Sequence, residues 1–545
     1  MRPLNAPRPA PLPWPAGVDP DHVHQAVSRL RDNVIDRVDA DGSIRGECHS
    51  RVLESALALT LMARIGAASP ARDRVLAFLQ ARLDSPQEFD RVLATLAVST
   101  AVHRAPDGDT DLIEKLTDAV LGSAPEFISA RRRKMLYAVL SVLGCPLPSD
   151  VAPAPDEAAP TDPTHSWNVV QQAAVTLILA NAAKVHNPAT EAALTTLTAT
   201  DPATTVWEGY VLMHLLTLHA LAGVPGQEAT VRGGLDSVLR HQRDDGGFPF
   251  IAEMHHWCTA TAGIGLAATG APPELLRRMA GTLVHHQGGA PLPSLSRGAA
   301  LTGGWSMSPG VALNDVDCTS CALEFIQETA PVRFHGAVRS GVDALLAVQG
   351  EDGGFPTYVA GARGEPCMTA AAVNALAPHT DTVAARQRAL DFLAESQLPD
   401  GGFEPGWSRS RLHTIFRARL AVGTADADDR RMAEVARRME QSVRATQNAD
   451  GGWGMQPGDA SDAISTAYGL ITLCCGDEAR PVGRALSWLL DNQDADGAYS
   501  GPPDMVGPRP FPYYVSVLTQ APVLLAFGHV RSRVPGAAPL PQEVA

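Results

Sequence analysis

Two carboxylates, a thiol and a hydroxyl crowd into the run Asn314-Asp315-Val316-Asp317-Cys318-Thr319. Asp317 directly precedes a segment, Thr319 to Glu328, whose pattern reads as a helix. The free backbone N–H groups and the dipole at a helix start stabilise a carboxylate, which makes its protonated form a stronger acid. Asp315 alongside would favour one proton held on the pair by like-charge repulsion. The same residues also suit a plain helix cap. Aromatic and imidazole side chains gather in loops elsewhere: His255-His256-Trp257, Trp305, Tyr358, Trp407 with His413, Tyr468, and Phe511 with Tyr513-Tyr514. Aromatic faces attract cations by about 0.5–2 kcal/mol each. A cavity walled with them would stabilise positive charge without attacking it, although core packing accounts for any single ring equally simply.

What must hold these groups is a repeat. Gln242…Asp245-Gly-Gly-Phe248, Gln349…Asp352-Gly-Gly-Phe355, Gln397…Asp400-Gly-Gly-Phe403, Gln447…Asp450-Gly-Gly-Trp453 and Gln493…Asp496-Gly-Ala-Tyr499 share one order of residues. Asp41-Gly-Ser-Ile44 is a version without the Gln. The last four lie roughly 50 residues apart, the length of one helical hairpin with loops. Gly after Asp stops the preceding helix, because it takes the left-handed conformation at little cost. The Gln amide can satisfy free backbone groups at helix ends. Segments such as Val52–Met62, Trp207–Leu216 and Ser465–Leu473 read as helices, and β-branched runs with hairpin turns are missing. The fold expected is all-α. Hairpins repeating in one direction stack openly or close into a double ring, and five or six suffice for closure around a cavity fit for a large apolar ligand.

The 545-residue chain exceeds one ordinary core, and 45% hydrophobic residues supply more than one. The loop Pro146–Pro160 divides it. The expected division is an N-terminal segment (1–30) packing on the C-terminal domain, a first helical domain (31–225), a repeat domain (226–533) and a disordered tail (534–545). A net charge of −15 argues against nucleic acid as partner. No stretch reaches about 18 apolar residues, and the Pro-rich start has no signal-peptide core, so a cytoplasmic protein without a membrane span is expected. Cys318-Thr-Ser-Cys321 lacks the second pair of a zinc site and the βαβ setting of a redox site.

The repeats and the acid run together resemble the class II terpene cyclases, the group of squalene–hopene cyclases and bacterial copalyl-type diterpene cyclases. That family writes its repeats Gln-x-x-Asp-Gly-x-Trp and its acid as Asp-x-Asp-Asp followed by Thr. The resemblance implies a two-domain α/α toroid. It implies that Asp317 is the proton donor, with Asp315, Cys318 and Thr319 beside it. Cys318 replaces the fourth Asp, as in the oxidosqualene cyclase branch, where that Cys is a hydrogen-bond partner of the acid. Trp305, His256, Trp257, Tyr358, Trp407, His413 and Tyr514 are the expected cavity lining. The implied reaction is protonation of the terminal alkene of geranylgeranyl or farnesyl diphosphate, then cyclisation to a bicyclic product that keeps its diphosphate. Mg²⁺ is expected with that diphosphate, and Asp41, Glu47 and Asp245 are its candidate ligands, although each also fits a turn or cap. A monomer or homodimer is expected. Alternatives are a squalene or polyprenyl cyclase, a zinc enzyme like the protein prenyltransferase β-subunit, and a non-catalytic toroid. No Asp-Asp-x-x-Asp motif for diphosphate ionisation is present: Asp428-Asp429-Arg-Arg-Met432 fails at its last position.

Overall fold

The computed structural model describes residues 11–67, 69–102, 110–122, 126–148, 151, 164–288 and 301–534. The chain begins with α1 (Pro20–Ile35). A first group follows: α2 (Val52–Arg64), α3 (Pro70–Gln80), α4 (Glu88–Ala101), α5 (Thr110–Leu121), α6 (Glu126–Val142), α7 (Ser166–Ala183), α8 (Pro188–Thr198), α9 (Val211–Leu221) and α10 (Glu228–Leu239). Next come α11 (His255–Ala268), α12 (Pro273–His285), α13 (Val316–Thr329), α14 (His335–Leu346), α15 (Pro366–Leu376) and α16 (Val383–Ser396). The last are α17 (Leu412–Val422), α18 (Arg430–Ala445), α19 (Ala463–Leu473), α20 (Ala479–Asp491) and α21 (Val517–Arg533). Among the described residues the β-structure beyond isolated bridges is one antiparallel pair, β1 (Ser50–Arg51) with β2 (Phe248–Pro249). The fold is an all-α toroid.

Burial patterns separate inner from outer helices. In α18 the buried residues are Met432, Val435, Met439 and Val443, one stripe on an otherwise polar helix. In α17 and α19 every residue is buried, as a helix surrounded by others requires. The inner helices α11, α13, α15, α17, α19 and α21 pack each on the next, and α21 returns to α11, closing the ring.

The repeat is the fastener. Gln349 Nε2 donates to the carbonyl of Gly353 in its own turn (3.0 Å) and to that of Ala385 in α16 (2.8 Å). Gln397 bridges to Val435, Gln447 to Pro481 and Gln493 to Ala26 in the same way. The Asp of each turn accepts from an amide two residues on, as Asp352 does from Gly354 (3.0 Å). Gly353 has φ +84°, and a β-carbon there would sit 2.3 Å from the Arg388 carbonyl oxygen, so the turn lies flat on the neighbouring helix. A further copy escapes a sequence reading because it is split. Gln287 donates to Gly303 (2.7 Å) and to Ala337 of α14 (2.8 Å), with Gly303-Gly304-Trp305 completing the motif.

The outer circle thus runs α12, α14, α16, α18 and α20, and Gln493 joins α20 to α1. The Asp41–Ile44 turn then meets α12 and α11: Thr282 Oγ1 of α12 donates to the Asp41 carbonyl, and Ile44 N donates to Thr259 Oγ1 of α11 (2.9 Å). Gln242 belongs elsewhere. It donates to Ala71 of α3 (2.9 Å), and Phe248 N donates to Ser55 Oγ of α2 (2.9 Å). The first repeat copy and α10, which packs on α9, therefore belong to the first domain. These contacts group α10 and the Gln242 turn with the first helices, past the expected boundary at 225, and α1 with the ring. Beyond Val534, the tail expected to be disordered lies outside the described residues.

Candidate active site

A cavity of about 450 Å³ opens between the two helical groups. The first domain contributes α6, the start of α7 and Tyr210. The ring contributes Trp257, the start of α13, the loop 356–365, Trp407 and the loop 505–513. Asp315, Asp317 and Cys318 line it.

Helix α13 starts one turn earlier than its sequence suggests. Asp315 is the N-cap, and its Oδ1 accepts from the Cys318 amide at 2.7 Å. Asp317 sits within the first turn. Burial pushes the Asp315 carboxyl up to about 7 against that hydrogen bond, with the Asp317 charge adding to the rise. Burial also raises Asp317, opposed by the Arg417 guanidinium, with which it forms a buried ion pair. Arg417 reaches from α17 and also donates to Cys321 Sγ (3.4 Å). The Cys318 thiol is hydrogen-bonded to Asp315, with Asp317 acting on it through charge alone, and burial keeps it protonated.

Thr319 does not line the cavity. Its hydroxyl accepts from Trp305 N (3.0 Å), the same pin that Thr369 gives Phe355 and Thr466 gives Trp453. Thr319 fastens a repeat. Trp305 is fully buried, with Nε1 donating to the Leu283 carbonyl (2.7 Å), so it is also motif rather than lining.

Of the other expected lining residues, Trp257, Tyr358 and Trp407 face the cavity. His413 faces a second, smaller cavity of about 80 Å³ inside the ring, shared with Trp257 and Arg417. His256 is buried away from both, bonded to the Ser306 carbonyl (3.0 Å) and stacked on His286. Tyr514 stacks edge-on with His49, and its neighbour Tyr513 takes the wall position. The wall continues through Phe250 beside Tyr513 and Tyr210 beside Phe250, each pair 5.2 Å between centroids.

The cavity also holds arginines that sequence reasoning missed. Arg131 and Arg132 from α6 and Arg509 from the 505–513 loop line it. Arg509 pairs with Glu365 (2.5 Å) and lies over Trp407 (4.2 Å). Among the described residues no carboxylate pairs with Arg131 or Arg132; Arg132 donates to Gln171 (3.0 Å). Burial, with Arg131 and Arg509 nearby, pushes Arg132 down to about 9. Mutual repulsion of buried cations is the signature of a site that gains from an anion. The run Arg131-Arg-Arg-Lys134 on an amphipathic segment was the available signal.

The candidate Mg²⁺ ligands are not assembled. Asp41, Glu47 and Asp245 are exposed and lie outside the cavity. Asp41 caps Ser43 N (2.9 Å), Asp245 caps Gly247 N (2.9 Å) and accepts from Ser50 (2.7 Å), and Glu47 bridges Glu253 through backbone. Among the described residues no cluster of three His, Cys, Asp or Glu side chains could hold a metal ion. These residues do not fit a protein-held Mg²⁺. Nor is any described helix long and apolar enough to cross a membrane.

Comparison with known proteins agrees with this fold. Residues 319–505 match the model of the prenyltransferase alpha-alpha toroid domain. The chain is 37% identical over 514 residues to a drimenyl diphosphate synthase of Streptomyces showdoensis, covering 92% of this chain and 93% of that one. A drimenyl diphosphate synthase of Streptantibioticus cattleyicolor is 36% identical over 512 residues, with the same coverage of both chains. Among solved structures, ent-copalyl diphosphate synthase from Streptomyces platensis has the same fold. Its TM-score is 0.58 at 18% identity, across 93% of this chain and 99% of that one.

Proposed function

The chain belongs to the class II terpene cyclases, the protonation-initiated cyclases, and we propose that it cyclises farnesyl diphosphate to a bicyclic drimane-type diphosphate. The observation that carries the reading is the pairing, in one aromatic-walled cavity, of a buried acid couple with Arg131 and Arg132, which pair with no carboxylate among the described residues. The volume is within the range of small-ligand pockets, about 300–1,000 Å³. The names of the two relatives favour the fifteen-carbon substrate over geranylgeranyl diphosphate.

In this reading Arg131, Arg132 and Arg509 hold the diphosphate, by charge-assisted hydrogen bonds to its oxygens. The far end of the chain then reaches Asp317. Burial supplies the protonated form of the Asp315–Asp317 couple. Arg417 stands ready for the carboxylate that remains once Asp317 gives its proton to the terminal alkene, so the ion pair strengthens as charge develops. The alkene electrons take the proton and leave a tertiary cation. Two ring closures carry the charge toward the diphosphate between Trp257, Tyr358 and Tyr513. Loss of a C–H proton ends the reaction with the C–O bond to diphosphate intact.

A zinc prenyltransferase reading fails on the residues. Asp317 is committed to Arg417, and Cys318 lies against Asp315 as a thiol. The test is incubation of purified protein with farnesyl diphosphate, geranylgeranyl diphosphate and squalene, followed by phosphatase treatment and mass spectrometry. A drimane alcohol from farnesyl diphosphate is expected. Products from squalene alone would refute the proposal.

A further inference from the structure

A reaction that threads a chain past an acid needs a stop as well as an acid. We propose that Trp257, with Met505, is that stop: together they close the main cavity beyond Asp317 and so limit the substrate to fifteen carbons. This rests on the farnesyl diphosphate reading above and concerns what excludes longer chains.

The two cavities are neighbours, and Trp257 and Met505 line both. The larger, about 450 Å³, holds Asp317, and the smaller, about 80 Å³, lies among the inner helices. Positions along those helices give its depth. On α13, Asp317 faces the main cavity, while Cys321 and Glu324 face the smaller one. At about 1.5 Å per residue, the step from Asp317 to Glu324 is roughly 10 Å. Helix α11 repeats the order, with Trp257 on the shared wall and Thr261 and Ile264 beyond it. The smaller cavity therefore continues the larger one past the acid, along the ring. Much of its wall is apolar, with Phe416, Leu420, Leu518 and Leu525 among the lining residues.

Both parts of the wall are held. Trp257 is buried, its amide donates to the Met307 carbonyl (3.3 Å), and the Arg417 guanidinium that pairs with Asp317 lies 5.7 Å from its ring. Met505 comes from another element: its carbonyl accepts from Tyr513 N (2.9 Å), and its backbone bridges to Ser408.

A farnesyl chain held by the arginines ends with its terminal alkene at Asp317 and its last methyl groups against Trp257. A geranylgeranyl chain is one isoprene unit longer. With its diphosphate in the same place, the extra unit would have to pass the indole. Removing the indole lets that unit into the smaller cavity, and the alkene before it then lies at Asp317. The proton adds to that internal alkene, two ring closures follow, and loss of a C–H proton ends the reaction. The product is an isomer of the substrate: a bicycle with its C–O bond to diphosphate intact and its last isoprene unit uncyclised.

The test offers farnesyl and geranylgeranyl diphosphate to wild type, Trp257→Ala and Met505→Ala, with circular dichroism to check folding. The two openings come from different elements, so one folded variant is enough. Trp257 also walls the path of the cation, so Trp257→Ala should turn over farnesyl diphosphate more slowly. The informative quantity is the ratio of kcat/KM for the two substrates. An apolar pocket distinguishes one methylene by about 10–200-fold, so the ratio should move toward the longer chain by about tenfold or more. After phosphatase treatment, NMR of the longer product should show an intact isopropylidene tail. Adding Thr261→Phe to either opened variant refills the smaller cavity and should return the ratio to its wild-type value; a ratio that stays raised overturns the proposal. So does a fall on both substrates with the ratio unchanged, or a long-chain product protonated at its last alkene. Those results leave the cyclase reading intact, because wild type still converts farnesyl diphosphate. A wild-type protein that cyclises no prenyl diphosphate removes both.

Discussion

In the proposed reaction Asp317 works through what touches it, and the substitutions that separate its partners are small. Asp317→Asn keeps the shape and removes the proton, so turnover should fall by about 10²–10⁴-fold or more with folding intact; wild-type turnover in this variant would refute the acid. Cys318→Ser should be milder, since a hydroxyl can still donate to Asp315. Arg132→Ala removes a charge rather than the chemistry. Hydrogen bonds to charged groups contribute about 1.5–3 kcal/mol, so KM for the diphosphate should rise about 10–100-fold while kcat changes little. Turnover should also fall as pH rises through about 7, where the Asp315 carboxyl loses its proton; a rate that stays flat to pH 9 would separate Asp315 from catalysis. The place of Asp315, Asp317 and Cys318 at one cavity-facing helix start was legible in sequence because the run is contiguous and its hydrogen bonds are local. Arg417 was not, because it lies 100 residues away in α17 and only the ring brings it back. His256, Trp305 and Tyr514 misled because loop position says which residues are near the cavity mouth, not which way each side chain turns.

The helical hairpin was the most legible element, since Asp, Gly and Gln act within a few residues of one another. What defeated the reading was interruption: residues 289–300 part Gln287 from Gly303. The element-scale interactions can be weighed by substitution. Gln397→Ala leaves the Gly401 and Val435 carbonyls without their shared donor in a buried place. Each unsatisfied buried group costs about 1–3 kcal/mol, so denaturant unfolding should show a loss of that order; no loss would demote the glutamine to decoration. The N-cap of α19 has a different weakness. Asp462 accepts from Ser465 N (2.8 Å), but its Oδ2 is buried without a partner, and burial pushes the carboxyl up to about 6 from 3.8. The folded state thus binds this proton more tightly than the unfolded chain. The contribution is complete below pH 3.8 and is lost as pH rises through about 6. Asp462→Asn keeps a capping oxygen and avoids the buried charge, so it should stabilise the protein at pH 8 by about 3 kcal/mol and hardly at all at pH 4. Equal effects at both values would refute this.

At the scale of the molecule, a sequence reading places the ring and the first domain side by side, with a boundary near residue 225. The repeat at Gln242 looks like its successors in sequence, while its hydrogen bonds run to α3. Removal of residues 1–36 should take α1 out of the ring and leave Gln493 without the Ala26 carbonyl. Calorimetry of that truncated chain should show a broad transition in place of a cooperative one, and cyclase activity should vanish; a sharp transition with wild-type turnover would show that α1 is dispensable. The joint between α1 and α20 has a further consequence for synthesis. Its two halves lie 467 residues apart, and between them the chain makes the entire first domain. That domain is in effect an insertion within its host. At about 5–20 residues per second, the inserted domain can fold on the ribosome while the host waits for its last helical hairpin. Helix α1 is made long before its partner beside α20, and until then it lacks the neighbours that bury it.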